Sequence, residues 1–151
     1  MNTTGTDRFS PWRLSGLERW LAAVLGLMLL VPLGVAWRLE PDPRGHGTHE
    51  QLGFPPCGVR VAFGLPCPTC GMTTAWAHLA HGQMAMAVRA SVGGTLLALL
   101  DLAAAPWLIA AAIGGRWRIL HPRGRTAVVV AAAVVLITLI EWAVRLAVLT
   151  A

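Results

Sequence analysis

The sequence carries little charge for its length. Only 13% of its 151 residues are charged, whereas 56% are hydrophobic, and the mean hydropathy is +0.62. Water-soluble domains have about 25% charged residues, so the composition excludes that class and predicts a small integral membrane protein. Lysine is missing altogether, so the net charge of +5 comes from arginine.

Three further patterns are missing. No basic stripe interleaved with aromatic residues is present, so we expect no nucleic-acid partner. No alternation of strands and helices surrounds the cysteines, as it would in a thioredoxin-like domain. There is one C-x2-C pair, whereas rubredoxins and zinc ribbons need two pairs to supply four sulfurs. A cysteine site in this chain would therefore be incomplete by those standards.

Three segments are long and apolar enough to span a bilayer, which takes about 20 helical residues. They are residues 17–37, 92–113 and 126–151. The first has an alternative interpretation as a signal peptide cleaved near Ala36, but its apolar run is long for that role. We therefore predict an all-α membrane protein with three transmembrane helices, the first of them kinked at Pro32, plus a short interfacial helix.

The arginines predict the orientation of these helices. Residues 114–125 contain four arginines and no acidic residue, so they should form a basic cytoplasmic loop, on the same side as the tail 1–16. Residues 38–91 would then be extracytoplasmic. The expected location is a bacterial inner membrane. Small residues in the second span predict close packing against the other helices, a second copy or another membrane protein.

The extracytoplasmic segment contains all three cysteines. Cys67 and Cys70 form the C-x2-C pair, and Cys57 precedes Cys67 by ten positions. This spacing brings the two sulfurs of the pair within reach of one metal ion or of each other. Four neighbours support the turn and the start of the helix that follows: Pro66, Pro68, Gly71 and Thr73.

Three chemistries are open for these cysteines. The favoured one is a site for zinc or another thiophilic metal in a non-enzymatic accessory protein, with His46 or His49 as an extra ligand. The more ordinary interpretation of these two histidines is that they are solvated side chains of a polar loop. A thiol–disulfide oxidoreductase would use the C-x2-C pair, with Cys57 as a resolving thiol. A structural disulfide would staple the loop.

Helical periodicity begins after Gly71. Apolar residues then recur at three- and four-residue spacing as far as Leu79, which predicts a short amphipathic helix. Cys70 would lie at its N-terminus, where the helix dipole favours the thiolate. His78 would lie about 12 Å along the axis from Cys70, which makes it a poor fourth ligand.

Charged residues also occur within the predicted spans. Asp101, Glu141 and Arg145 are costly in lipid unless they are paired. From their depths of about 14, 12 and 6 Å, we expect them to face one another in a layer beneath the cysteine loop. One alternative is structural, with a Glu141–Arg145 pair one helical turn apart and Asp101 bonded to hydroxyls or water. The other is a polar pocket or proton path.

The run from Gly64 to Thr73, G-L-P-C-P-T-C-G-M-T, resembles the small bacterial membrane proteins grouped as domain of unknown function 2752. Their signature is close to G-x-P-C-P-x-C-G-x-T-R, and the resemblance covers about residues 52–113. Two positions depart from it: Thr74 replaces the arginine, and Ala90-Ser91 stands near the usual Asn-Pro. The resemblance implies a membrane location and a genuine cysteine motif, and it implies no particular activity.

Overall fold

A computed structural model describes residues 13–117 and 124–150. The tail before residue 13, with Arg8, lies outside this part of the chain, as does the stretch 118–123 with Arg118 and Arg123. The described residues contain helices and no β-strand. The α-helices are α1 (Gly16–Arg38), α2 (Gly58–Phe63), α3 (Met72–Ala80), α4 (Met84–Ala90), α5 (Val92–Gly114) and α6 (Gly124–Thr150), and a short 3-10 helix covers Thr48–Leu52.

Helices α1, α5 and α6 are each long and apolar enough to cross a membrane. This confirms the predicted all-α membrane fold, and the helix ends differ from the predicted ones by at most two residues. A capping box starts α1, because Ser15 Oγ accepts from the Glu18 N–H and Glu18 accepts from the Ser15 N–H. Pro32 lies inside α1 without ending it.

Helix α5 is the centre of the bundle, since it contacts α1, α3, α4 and α6. Small residues make this close packing possible. A Cβ at Gly26 of α1 would lie 2.8 Å from Ile109 Cγ1 and 3.1 Å from the carbonyl oxygen of Ala105, both on α5. On the other side of α5, a Cβ at Gly93 would overlap Thr138 of α6. The glycines therefore bring the three long helices together, as small residues do in membrane bundles.

The two ends of the bundle differ in character. At the arginine end, where α1 begins and α5 ends, Arg19 donates from Nε to the Ala112 carbonyl over 3.0 Å and from a terminal nitrogen to the Ile113 carbonyl over 3.3 Å. These carbonyls have no partner within α5 because its last turn is incomplete. At the cysteine end, where α1 ends and α5 begins, residues 39–91 form a cap.

Candidate functional site

A cavity of about 530 Å³ opens at the cysteine end. We call it the thiol cavity, because Cys57, Cys67 and Cys70 all line it. His46 and His49 line it too. The structure thus brings together the five side chains that the sequence analysis selected as metal ligands or thiol partners, although 24 positions separate His46 from Cys70.

The loop that carries these histidines is held by polar contacts. Arg44 pairs with Asp42 at 2.7 Å and with Glu50 at 3.2 Å, and the Arg44 guanidinium lowers the pKa of the Asp42 carboxyl to about 2. Thr48 Oγ1 lies 2.8 Å from Thr74 Oγ1, and both side chains are fully buried. Thr74, which replaces the arginine of the signature, therefore joins the loop to α3.

Gly71 closes the cysteine turn in a left-handed conformation, with φ of +90°, which favours glycine. The turn includes Pro68, and the Cys70 N–H donates to the Cys67 carbonyl over 3.0 Å. A Cβ at Gly71 would lie 2.8 Å from the Gly45 carbonyl oxygen. The glycine after the second cysteine is thus required both by its backbone angle and by the approach of the histidine loop.

Cys57 and Cys67 lie close enough for the Cys67 side chain to influence the pKa of the Cys57 thiol. The backbone N–H of Arg60, in the first turn of α2, lowers the pKa of the Cys57 thiol; partial burial opposes this effect, and the Cys67 contact adds to it. Cys67 Sγ also lies 3.4 Å from Thr69 Oγ1. All three cysteines are free thiols, and Cys57 is the one whose thiolate is favoured.

Cys70 has the opposite environment. It is only 9% exposed, and burial raises the pKa of its thiol, although the nearby Arg60 guanidinium acts against this. The sequence-based expectation that the helix dipole would favour a Cys70 thiolate is therefore wrong, because desolvation outweighs it. Arg60 was not among the predicted site residues, although it lies three positions after Cys57 and so one helical turn away.

Helix α6 holds the cysteine turn in place through hydrogen bonds from two of its side chains. Trp142 Nε1 donates to the Pro66 carbonyl over 2.8 Å. Arg145 donates to the Cys70 carbonyl over 3.3 Å and to the Ala90 carbonyl over 2.7 Å. The carbonyls just before and at the end of the C-x2-C segment are thus held by a helix about 75 residues further along the chain.

Glu141 caps the N-terminus of α5. Its carboxylate accepts from the backbone N–H groups of Val92 and Gly93, each over 3.0 Å, and it forms an i,i+4 ion pair with Arg145. The first N–H groups of a helix have no partner within the helix, and its dipole favours a negative charge there. The Glu141–Arg145 pair therefore serves α5 and the cysteine turn together.

Asp101 does not join this pair, contrary to the expected three-residue layer. It lies nine residues after Val92 in α5, about 13 Å along the axis, whereas Glu141 bonds at the first turn. Asp101 is 7% exposed, and within residues 13–117 and 124–150 neither of its carboxylate oxygens has a hydrogen-bond partner. The expected layer was based on depths counted along each helix. In the structure, Glu141 instead lies at the N-terminus of α5, where it accepts hydrogen bonds from the first N–H groups of that helix.

The cavity does not assemble a metal site from its own side chains. In the described part of the chain, no group of three or more His, Cys, Asp or Glu side chains is arranged to hold an ion. Burial lowers the pKa of His46, and the positive charges of Arg60 and Arg44 add to this. His78 points elsewhere, with Nδ1 2.6 Å from Gln83 Oε1.

Comparison with known proteins identifies one family. Residues 57–105 match the model of the family described as Protein of unknown function (DUF2752). No curated protein and no solved structure matches the chain. The matched segment contains the three cysteines, α2 to α4 and the first part of α5, whereas α1 and α6 lie outside it. Over this segment, the chain is similar to the DUF2752 family.

Proposed function

We propose that this protein is a membrane thiol–disulfide oxidoreductase whose exchanging pair is Cys57 and Cys67. The observation that carries the proposal is the placement of these two thiols together in a cavity that the cation Arg60 also lines. The lowered pKa of Cys57 supplies the thiolate, which is the reactive form in disulfide exchange. Cys70 is the less reactive thiol because it is buried and its pKa is raised.

The exchange needs only these two thiols and a partner disulfide. The Cys57 thiolate attacks one sulfur of that disulfide, and the other partner sulfur leaves as a thiolate. The Cys67 thiol, after losing its proton, then attacks the Cys57 sulfur and releases the second partner thiolate. Two electrons pass from the protein to the partner, two protons pass with them, and a Cys57–Cys67 disulfide remains. The reverse sequence oxidises a partner dithiol.

The charges around the thiols favour this function over metal binding. The Arg60 guanidinium lies close enough to act on the Cys70 thiol and on His46. A fixed positive charge stabilises a thiolate but repels a divalent cation at the same distance. A metal site would also need a third and fourth ligand to converge, whereas disulfide exchange needs one pair of sulfurs.

The proposed location is the outer face of a bacterial inner membrane, with the N-terminus in the cytoplasm. Arg13, Arg19 and Arg116 lie at the opposite end of the bundle from the cysteines, which agrees with the excess of arginine in cytoplasmic segments. An extracytoplasmic site is also in a disulfide-permissive compartment. A membrane-impermeant thiol reagent should label Cys57 in intact spheroplasts, and labelling only after lysis would contradict this orientation.

Redox equilibration of the purified full-length chain tests the proposed function. In glutathione buffers, mass spectrometry of the alkylated protein should find a Cys57–Cys67 disulfide with a potential between about −180 and −270 mV. Cys57→Ser and Cys67→Ser should abolish reduction of a disulfide substrate, while Cys70→Ser should retain it. A disulfide that is reduced only below about −300 mV would instead be a structural staple.

A thiophilic-metal site is the second candidate, favoured by the presence of three cysteines and two histidines in one cavity. It requires the cavity to close around zinc or a similar ion, or to borrow a ligand from a second copy or another membrane protein. Elemental analysis of protein purified without chelator distinguishes the two functions. About one ion per chain supports the metal site, and less than about 0.2 ion per chain contradicts it.

A further inference from the structure

A second cavity, of about 430 Å³, adjoins the thiol cavity. We call it the apolar groove, because Thr73 is the single residue with a hydroxyl among its lining side chains, and the others are hydrophobic. It runs between the last turns of α1, helix α3 and the first half of α5. Met72 and Thr73 line both cavities, so the groove and the thiol cavity meet at the start of α3.

The groove also faces the bilayer. On α1 it is lined by Val31, which is 59% exposed, and by Val35. In a membrane-spanning helix, such exposed apolar residues face acyl chains. Trp37, 66% exposed near the end of α1, is placed as interfacial tryptophans are. The groove therefore lies in the bilayer just below its interface, next to a polar cavity above.

Besides the apolar groove, Arg60 is a separate observation that indicates a ligand in the thiol cavity. Its Nε atom is buried and has no hydrogen-bond partner among the described residues. A buried N–H without an acceptor costs free energy, and a small movement of the guanidinium toward an acceptor atom in the cavity would remove that cost. Together these features fit an amphiphile: its oxygen-bearing head would supply the acceptor for Arg60, and its hydrocarbon tail would lie in the apolar groove.

We propose that this amphiphile is a membrane quinone, with its ring in the thiol cavity and its isoprenoid tail in the apolar groove. This inference rests on the proposed function, since it names the lipid-soluble acceptor for the electrons of Cys57 and Cys67. Negative charge develops on a quinone oxygen as the ring is reduced. Arg60 is the group that would stabilise it, as preorganised donors do in other active sites.

The reaction balances without a further reagent. Two S–H bonds break and one S–S bond forms between Cys57 and Cys67, which releases two electrons and two protons. The quinone takes up both electrons and both protons, and its two carbonyls become hydroxyls. One quinol is therefore formed for every two thiols lost, and the oxidised pair can then accept electrons from a partner dithiol outside the membrane.

Reduction of a quinone analogue by the full-length chain tests this inference. The reduced protein in detergent is mixed anaerobically with decylubiquinone, and quinol formation and remaining thiols are measured. We expect one quinol per two thiols, and at least a tenfold slower reaction in Leu97→Trp, which fills the groove. Leu99→Trp is the matched control, since Leu99 lies outside the groove lining on the other side of α5, and it should react at the wild-type rate.

Exchange with oxidised glutathione, measured on the same proteins, separates the possible failures. If Leu97→Trp exchanges normally but reduces quinone slowly, the inference is supported. If the wild type exchanges but does not reduce quinone, the inference is overturned and the proposed function stands. If neither reaction occurs, both are overturned. Should Leu97→Trp fail to fold, Val35→Trp fills the same groove from α1, and an unchanged rate in it would count against the tail site.

Discussion

Arg145 of α6 donates a hydrogen bond to the backbone carbonyl of Cys70 over 3.3 Å. The same guanidinium pairs with Glu141, which caps α5. One side chain of the third membrane helix therefore links the second membrane helix to the cysteine turn. The cysteine cap is consequently part of the bundle and not a separate surface loop.

Replacement of Arg145 should loosen that link. Arg145→Met removes the donors to the Cys70 and Ala90 carbonyls and leaves Glu141 without its cation, so we expect a loss of about 2 to 3 kcal/mol in the free energy of unfolding. Unfolding in a detergent titration measures it, and alkylation of Cys70 should become faster. Arg125→Met, at an exposed position near the start of the same helix, should stay within about 0.5 kcal/mol of wild type.

Gly71→Ala should be more harmful than a substitution at another left-handed glycine. Gly53 has φ of +82° with open space around it, whereas Gly71 has φ of +90° and the Gly45 carbonyl close by. Gly53→Ala should cost about 1 to 2 kcal/mol from backbone strain alone. Gly71→Ala adds overpacking and should cost about 2 to 4 kcal/mol. Equal thermal stability of the two variants would contradict the close approach.

The alkylation rates of the thiols should separate with pH. The pKa of Cys57 is lowered, so its thiolate persists to lower pH and its reaction with iodoacetamide should reach half its maximal rate below the usual range for cysteine. The pKa of Cys70 is raised, so its half-maximal rate should fall above that range. Peptide mass spectrometry after timed quenching follows each cysteine by itself.

Arg60→Met should affect these two cysteines differently. The backbone N–H that lowers the pKa of Cys57 remains in the variant, so the Cys57 profile should shift little. The guanidinium that opposes the effect of burial at Cys70 is lost, so the Cys70 profile should move further upward. A large shift at Cys57 would mean that the side-chain charge, and not the start of α2, activates that thiol.

Thr74→Val should separate the histidine loop from α3. It removes the buried hydrogen bond to Thr48, and we expect a cost of about 1 to 2 kcal/mol. Thr48→Val should cost more, because Thr48 Oγ1 also accepts from the Asp42 N–H over 3.1 Å. The double variant should be less destabilised than the sum of the two, since one bond is lost in both. Additive effects would show that the hydroxyls do not interact.

The sequence was sufficient for the membrane architecture, because apolar length and helical periodicity are local properties. It also located the cysteines and histidines that share the thiol cavity. It could not place Trp142 against Pro66, since 76 positions separate them and no local pattern marks the contact. The expected pairing of Asp101 with Glu141 and Arg145 was wrong for a related reason. Depth can be counted along each helix, but the sequence does not show that Glu141 caps the N-terminus of α5 and so lies away from Asp101.

The contacts of Trp142 and Arg145 also impose an order on biosynthesis. The ribosome makes the three cysteines long before it makes α6, so the cysteine turn is translated before the donors that hold Pro66 and Cys70 exist. Until α6 inserts, the turn lacks these two hydrogen bonds. We therefore expect oxidants to react with Cys70 more readily in the newly made chain than in the finished protein. The thiol site reaches its final geometry only when α6 is complete.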